Sequence, residues 1–572
     1  MEVLSAPLRR PLAHVALFSF ALNLLLLVPA LFMLQVFDRV LTSQSRETLA
    51  MLLLGAAIAL GFVFALDYLR ARLQGIAGAI VTEALSPIVA KTLMAARACG
   101  GPNSSEGLRD IGTLRALFSA QGLLALFDAP WLVVYVAVIW LFHPTLGVAA
   151  AVAALSMLAV AWLTDRWTRR GIENLQRQAA RSVRYLESSL NAADAVQTLG
   201  MTDSVLDRWR GMNREVARQQ GPVARATVVM AAFTRTLRQA IQVIVLAIGA
   251  YLVISNQATA GVMMATTILL GRALAPVEQV VGSWRMLAES RAAFIRLRDL
   301  LKESSEPDPM RLPTPRGALE AQNLSFRAPT GDALILQGVS LRLAPGDSLA
   351  IVGPSAAGKS TLLRLLTGLW KPTAGVVRLD GADIARWPRR DLGPSIGYLP
   401  QRVELFEGTV AENIARLGTV NPQAVVHAAQ RAGVHEMILS LPEGYETQVD
   451  DGPRLSPGQR QRIGLARALY GDPRMVVLDE PNSNLDGASE QALSESLKDL
   501  QREQVTVVLV THRNTLLKDV TQVLVLQAGR VQHYGPTSQV LAALEPHSSR
   551  PVPTKVVPMP MQPEPTRRGH AS

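Results

Sequence analysis

Six long apolar runs fill the first half of the chain, and the second half has none of comparable length. They are Val15–Leu34, Leu49–Leu66, Leu123–Phe142, Thr145–Leu163, Val228–Ile254 and Ala258–Val281. Each approaches the roughly 20 apolar residues that cross a ~30 Å hydrocarbon core. Ser19 and Asn23 interrupt the first run, and the second and fourth carry no charge. Asp128 opens the third, Arg235 and Arg238 stand at the entry of the fifth, and Arg272 and Glu278 lie inside the sixth. Arg9 and Arg10 before the first run resemble the start of a signal peptide. No small-residue cleavage site follows, so the run reads as an uncleaved span.

Basic residues set the expected topology. The segment between spans two and three holds Arg70, Arg72, Lys91, Arg97, Arg109 and Arg115, and the segment between spans four and five is richer in arginine still. The other connections, Asp38–Thr48, His143–Pro144 and Ser255–Gly261, carry few basic residues or none. Both long basic segments and both termini are therefore expected in the cytoplasm. The basic segments read as helices that run on out of the membrane. Asp128, Arg272 and Glu278 admit two readings: they line a translocation path, or they snorkel to the hydrocarbon edge. Pro130 and Pro276 beside them are expected to bend their helices.

The second half is patterned like a soluble α/β domain. Asp347–Val352 is an apolar strand, Gly353–Ser360 reads Gly-Pro-Ser-Ala-Ala-Gly-Lys-Ser, and a helix is expected over Thr361–Leu369. Strand, loop and helix in that order make a P-loop. Its backbone N–H groups and the helix N-terminus gather phosphate oxygens. Lys359 adds a charge at the β/γ-phosphates, and Ser360 offers a hydroxyl to Mg²⁺. Met475–Glu480 is a second apolar strand, ending in two acids. Asp479 is placed to serve Mg²⁺, and Glu480 to polarise the attacking water. Val505–Thr511 is a third strand, and His512 at its end is expected to meet the γ-phosphate. Leu455–Gln459 opens another helix, whose start can hold a phosphate. A domain that already has a P-loop needs a second such helix start only if another copy closes the site.

Composition narrows the classes. The 572 residues are 49% hydrophobic and 18% charged, with a formal charge of +11. That charge flanks the spans, which points to a membrane face and away from nucleic acid. The one cysteine, Cys99, excludes an internal disulfide framework and a cysteine zinc site. The expected fold class is multidomain. An all-α transmembrane domain of six helices with long cytoplasmic extensions (1–302) precedes a linker rich in proline (303–317). An α/β P-loop nucleotide-binding domain (318–545) follows, then a disordered Pro-rich tail (546–572).

Gly353–Ser360, Gln401, Leu455–Gln459, Val476–Glu480, Ser483–Asp486 and His512, in this order, resemble the nucleotide-binding domain of an ATP-binding cassette transporter. The resemblance implies that Gly353, Pro354, Ser355, Ala356, Ala357, Gly358, Lys359, Ser360 and Thr361 hold ATP. It implies that Gln401 senses the γ-phosphate, joins Ser360 and Asp479 at Mg²⁺ and couples to the membrane domain. Glu480, His512 and Gln401 are then catalytic. Ser456, Gly458 and Gln459 reach across to ATP on a partner subunit, and Asp486 lies at that interface.

Two features depart from the family pattern. Pro457 replaces the commoner glycine of the signature. In the segment where an adenine-stacking aromatic is often found, Phe326 is the only aromatic and Ala328 stands where a tyrosine would be sought. Tyr398–Gln401, Leu405–Val410, Asp479–Asp486 and Thr511–Arg513, with Phe127–Trp131 in span three, are similar to the type I secretion ATPases for proteases and lipases. That implies a homodimer in the inner membrane, a periplasmic adaptor, an outer-membrane channel and an unfolded secreted protein as cargo. No peptidase domain precedes span one, which sets aside exporters that mature peptides. Two alternatives stay open: an exporter of lipids, drugs or peptides, and an ATP-gated channel or regulatory subunit.

Overall fold

The computed structural model describes residues 2–100, 106–118, 121–303, 312–328, 333–449, 455–483 and 487–544. The expected tail (546–572), Asp486 and most of the expected linker lie outside the described residues. Contacts divide the chain into two compact units, Met1–Ser305 and Glu306–Ser572.

The first unit is helical, and its described helices include six long and apolar enough to cross a membrane. The first span is α1 (Glu2–Leu25) and α2 (Val28–Gln35), continued by a π-helical turn at Val36–Val40. α3 (Arg46–Ala98) has 53 residues, capped by Ser45 Oγ accepting from Thr48 N. At 1.5 Å per residue it is ~80 Å long, far more than a bilayer needs. Its most apolar window contains no buried residue in this chain, as suits a face turned to lipid. α4 (Glu106–Phe118), α5 (Gln121–Asp128) and α6 (Trp131–Phe142) follow. α7 (Pro144–Leu190) and α8 (Thr202–Ile254) have 47 and 53 residues and carry the basic segment as helix, with a short helix, Ala193–Thr198, between them. α9 (Ala260–Gly282) is the sixth span, and α10 (Trp284–Glu303) continues from it.

The structure refines several expectations. The third span is broken at Ala129–Pro130 into α5 and α6, because Pro130 has no N–H to give the helix ladder. Pro276 sits inside α9 without ending it. The connection expected at Asp38–Thr48 shrinks to Gln44 and Ser45, since Asp38 is itself helical. Asp128 and Glu278 are both paired inside the chain. Asp128 accepts from Asn23 Nδ2 at 2.7 Å and pairs with Arg70 at 3.2 Å. Glu278 lies 2.6 Å from Arg238. Of the three ions, Arg272 alone is exposed.

The second unit holds two larger sheets. β1 (Leu319–Arg327), β2 (Leu334–Leu343), β4 (Ala374–Leu379) and β5 (Ala382–Asp383) form one, in the order β2-β1-β4-β5. The other has β3 (Ser348–Val352), β6 (Ile396–Leu399), β7 (Met475–Asp479), β8 (Thr506–Val510), β9 (Gln522–Gln527) and β10 (Arg530–Pro536) in the order β10-β9-β3-β8-β7-β6. All neighbours in it are parallel except β9 and β10. Alternate residues serve alternate faces. Val476, Leu478, Val507 and Leu509 enter one core cluster, while Met475, Val477, Val508 and Val510 enter the other. Burial on both faces explains why β7 and β8 read as unbroken apolar runs. It also gathers the carboxyl ends of β3, β6, β7 and β8 along one edge, where open α/β sheets bind ligands.

Candidate functional site: a phosphate-binding sheet edge

β3 ends at Val352, and the chain turns through Gly353–Gly358 into α11 (Lys359–Leu366). Two glycines make the turn possible. Gly358 has φ +100°, and a Cβ on Gly353 would stand 2.1 Å from Leu526 O. Leu362, Leu363, Leu365 and Leu366 bury α11 against the sheet and so fix the loop. Lys359 Nζ donates to Gly353 O at 2.8 Å and Pro354 O at 3.0 Å. Burial lowers the pKa of its ammonium, while Glu480 and Asp479 act in the opposite sense. The charge is thus curled into its own loop, a short move from where a phosphate would sit.

Asp479 closes β7 and is 5% exposed. Burial pushes its carboxyl above the usual range, and a hydrogen bond from Ser360 opposes this. Its Oδ1 is buried without a hydrogen-bond partner among the described residues. A buried carboxylate oxygen left unpaired is costly. Beside a hydroxyl and a phosphate cradle, it suits a hard divalent cation, which prefers oxygen ligands. The residues present therefore fit Mg²⁺.

Glu480 has φ +52°, a left-handed conformation that non-glycine residues hold only under constraint. Its N–H donates to Val510 O at 3.1 Å. His512 Nε2, just past β8, is 3.6 Å from Glu480 Oε1. Gln401 is exposed two residues beyond the end of β6. β3, β6, β7 and β8 thus bring the P-loop, Gln401, Asp479, Glu480 and His512 to one edge.

Ser456 is the N-cap of α12 (Pro457–Leu469). Gln459 N donates to Ser456 Oγ at 3.2 Å, and Ser456 N donates to Gln459 Oε1 at 2.8 Å, a reciprocal capping box. Pro457 occupies the first helical position, where its missing N–H costs nothing to the ladder. Phe326 is 7% exposed and stacks on Trp370 with centroids 5.0 Å apart, inside the core.

Two residues at this edge escaped the sequence reading. Gln461, 4% exposed on α12, donates to the backbone around Glu480. Glu490, in the first turn of α13 (Gly487–Arg502), accepts from Arg513 Nη1 at 2.6 Å and Thr515 Oγ1 at 2.7 Å. For Gln461 the available signal was a polar residue at a core-facing helical position, four before Leu465.

Fold and site together define an ATP-binding cassette joined to a membrane domain of six spans. A family model described as ABC transporter matches residues 336–483, and one described as ABC transporter transmembrane region matches residues 12–276. The type I secretion system ATP-binding protein PrsD of Rhizobium meliloti (strain 1021) is 40% identical over 531 residues, 91% of this chain and 91% of PrsD. The cyclolysin secretion/processing ATP-binding protein CyaB of Bordetella pertussis (strain Tohama I) is 31% identical over 554 residues, 94% of this chain and 76% of CyaB. A solved bacterial Atm1-family ABC exporter with ATP bound shares the fold, with a TM-score of 0.83 at 24% identity, covering 94% of this chain and 97% of its own. The chain belongs to the ABC exporter family, in the branch of type I secretion ATP-binding proteins. It is a multi-pass membrane protein whose cassette binds ATP and hydrolyses it in coupling to transport.

Proposed function

We propose that this chain is half of a homodimeric exporter that passes unfolded protein across the inner membrane in type I secretion. A periplasmic adaptor and an outer-membrane channel would complete the path. The observation that carries the reading is the 40% identity to a type I secretion ATP-binding protein over 91% of both chains. The arginine-rich segments support a cytoplasmic location for the cassette and both termini.

In this reading each ATP lies between one P-loop, Gly353–Thr361, and the partner copy's Ser456, Gly458 and Gln459. Lys359 leaves its loop carbonyls for the β/γ-phosphates. Ser360, Asp479 and Gln401 would hold Mg²⁺, which when bound neutralises phosphate charge. Glu480 accepts a proton from the attacking water, and His512 donates to the γ-phosphate while keeping Glu480 in place. Asp486 meets the partner copy. Closing the dimer from 1:99 to 99:1 requires ATP to favour closure by ~5.5 kcal/mol, and charge-assisted phosphate contacts are of that order. Arg272, exposed on α9, contributes to the wall of the path.

The test is secretion. Cells that hold a matched adaptor and outer channel should release a protein with a C-terminal signal only when this chain is present with Glu480 intact. ATP-dependent lipid flip in reconstituted vesicles, with no protein released in cells, would instead identify a lipid exporter.

A further inference from the structure

Gln461 is a polar side chain in an apolar position. It lies on the buried side of α12 with Leu465 and Ala468, four and seven residues on. Its Nε2 donates to Pro481 O at 2.8 Å, Glu480 O at 3.1 Å and Ser483 Oγ at 3.3 Å. Ser483 N also donates to Glu480 O, at 3.2 Å. The peptide of Glu480 is therefore held from two sides. β8 holds its N–H through Val510 O, and α12 holds its carbonyl through Gln461. A left-handed glutamate persists only under such constraint.

The other end of this link lies at the start of the same helix. Ser456 and Gln459, proposed above to meet the nucleotide of the other cassette, are locked to each other and begin α12. Gln461 is two residues further along, within the same turn. A shift at the helix start moves Gln461 with it, since intrahelical bonds do not stretch independently. One end of this short lever touches the partner's ATP, and the other sets the glutamate that serves its own. We propose that Gln461 is a positioning residue that couples the two ATP sites of the dimer. ATP arriving under one cassette's signature then aligns Glu480 in that same cassette for the ATP on its own P-loop. Gln461 Oε1 adds a second observation: it is buried with no hydrogen-bond partner among the described residues. An unsatisfied buried acceptor favours any movement of α12 that brings it a donor. The inference rests on the shared-site reading above.

The experiment measures ATP hydrolysis by the full-length protein in nanodiscs across a range of ATP concentrations, for wild type, Q461M, S456A and Q461M/S456A. Methionine keeps the length of glutamine and removes its donors. Wild type should respond sigmoidally. Q461M should lower the Hill coefficient toward one and kcat by roughly tenfold. Its equilibrium ATP affinity, read in an E480Q background, should stay within about twofold. S456A should depress kcat in wild type but add little to Q461M. Hyperbolic wild-type kinetics, an unchanged Hill coefficient in Q461M, or multiplying losses in the double variant each overturn the coupling. Should Q461M melt early, Q461N keeps a buried amide but draws it one methylene back from the Glu480 carbonyl, and gives the same two readings. If S456A alone changes nothing, the shared site itself has failed. If S456A matters but combines independently with Q461M, only the coupling has failed.

Discussion

His512 Nε2 stands 3.6 Å from Glu480 Oε1, and the two side chains leave the ends of neighbouring parallel strands. Neither is placed by its strand alone. Glu480 is turned into a left-handed conformation by Val510 O and Gln461. His512 is followed by Arg513, whose guanidinium is tied to Glu490. The pair thus borders the P-loop edge from the β7–β8 side, where a terminal phosphate and its attacking water would meet.

E480Q should remove the group that accepts the water's proton and leave the phosphate cradle intact. General-base catalysis contributes about 10²–10⁴-fold. Turnover should fall into that range while ATP still binds. Steady-state phosphate release and equilibrium nucleotide titration check the two halves of this expectation. Unchanged turnover would remove Glu480 from the role.

D479N separates stability from catalysis. Burial raises the Asp479 pKa, so the carboxylate form weakens the nucleotide-free fold at neutral pH. The penalty is full above the folded pKa and is relieved as pH falls through it. Asparagine carries no charge at any pH. Without nucleotide, D479N should therefore melt at or above the wild-type temperature at neutral pH. With ATP and Mg²⁺ the order should reverse, because wild type gains ligand stabilisation and D479N loses most of it. Chelating Mg²⁺ should bring wild type toward D479N. A lower melting temperature for D479N without nucleotide would contradict this account.

What was legible in the sequence was what repeats or lies close along the chain. The spans show as long runs, β7 and β8 as unbroken apolar strands, and the P-loop as eight consecutive residues. Pairings between distant segments left no trace. Asn23 meets Asp128 across 105 residues, Arg70 meets Asp128 across 58, and Asp38 meets Gly261 across 223. The first two of these contacts make Asp128 the centre of an internal network. Periodicity also places Gln461 on a buried face without naming the carbonyls it would find there.

The Arg70–Asp128 pair is largely enclosed, with side chains 11% and 16% exposed, and Ser19 also accepts from Arg70. Breaking a buried ion pair from one side strands the remaining charge and costs about 3–5 kcal/mol. R70Q strands Asp128 without its cation and should therefore lower thermal stability in detergent sharply, whereas D128N leaves Arg70 its second partner, Asp67 at 2.8 Å, and should cost less. R70Q/D128N should recover much of the loss, since neither charge is then left alone. Two single losses that simply add would show that the ions act separately.

Arg272 should matter more to cargo than to ATP. It is exposed on α9, in the helical unit. A charge at membrane depth is expensive unless it faces water, a partner or a substrate. R272Q should reduce secreted protein roughly tenfold more than it reduces hydrolysis, measured in the same membranes. Equal reductions would place Arg272 in the fold and not in the path.

Gly261 offers a sign reversal. Its N–H donates to Asp38 Oδ1 at 2.9 Å, and Thr259 Oγ1 donates to Oδ2 at 2.7 Å, so one carboxylate caps the start of α9. A Cβ at residue 261 would stand 2.6 Å from Asp38 Cγ. Alanine in a helix is favoured over glycine by about 1 kcal/mol. Against that, displacing the carboxylate forfeits hydrogen bonds to a charged group worth ~1.5–3 kcal/mol each, and a favourable charge at a helix N-terminus. The second effect is larger, so G261A should destabilise the protein, by about 1–3 kcal/mol. In a D38A background the obstacle and the cap are both gone, and only the helix preference remains. There G261A should be neutral or stabilising by up to ~1 kcal/mol. Thermal inactivation of the four proteins in one detergent decides it, and a G261A loss of equal size in both backgrounds would refute the capping role of Asp38.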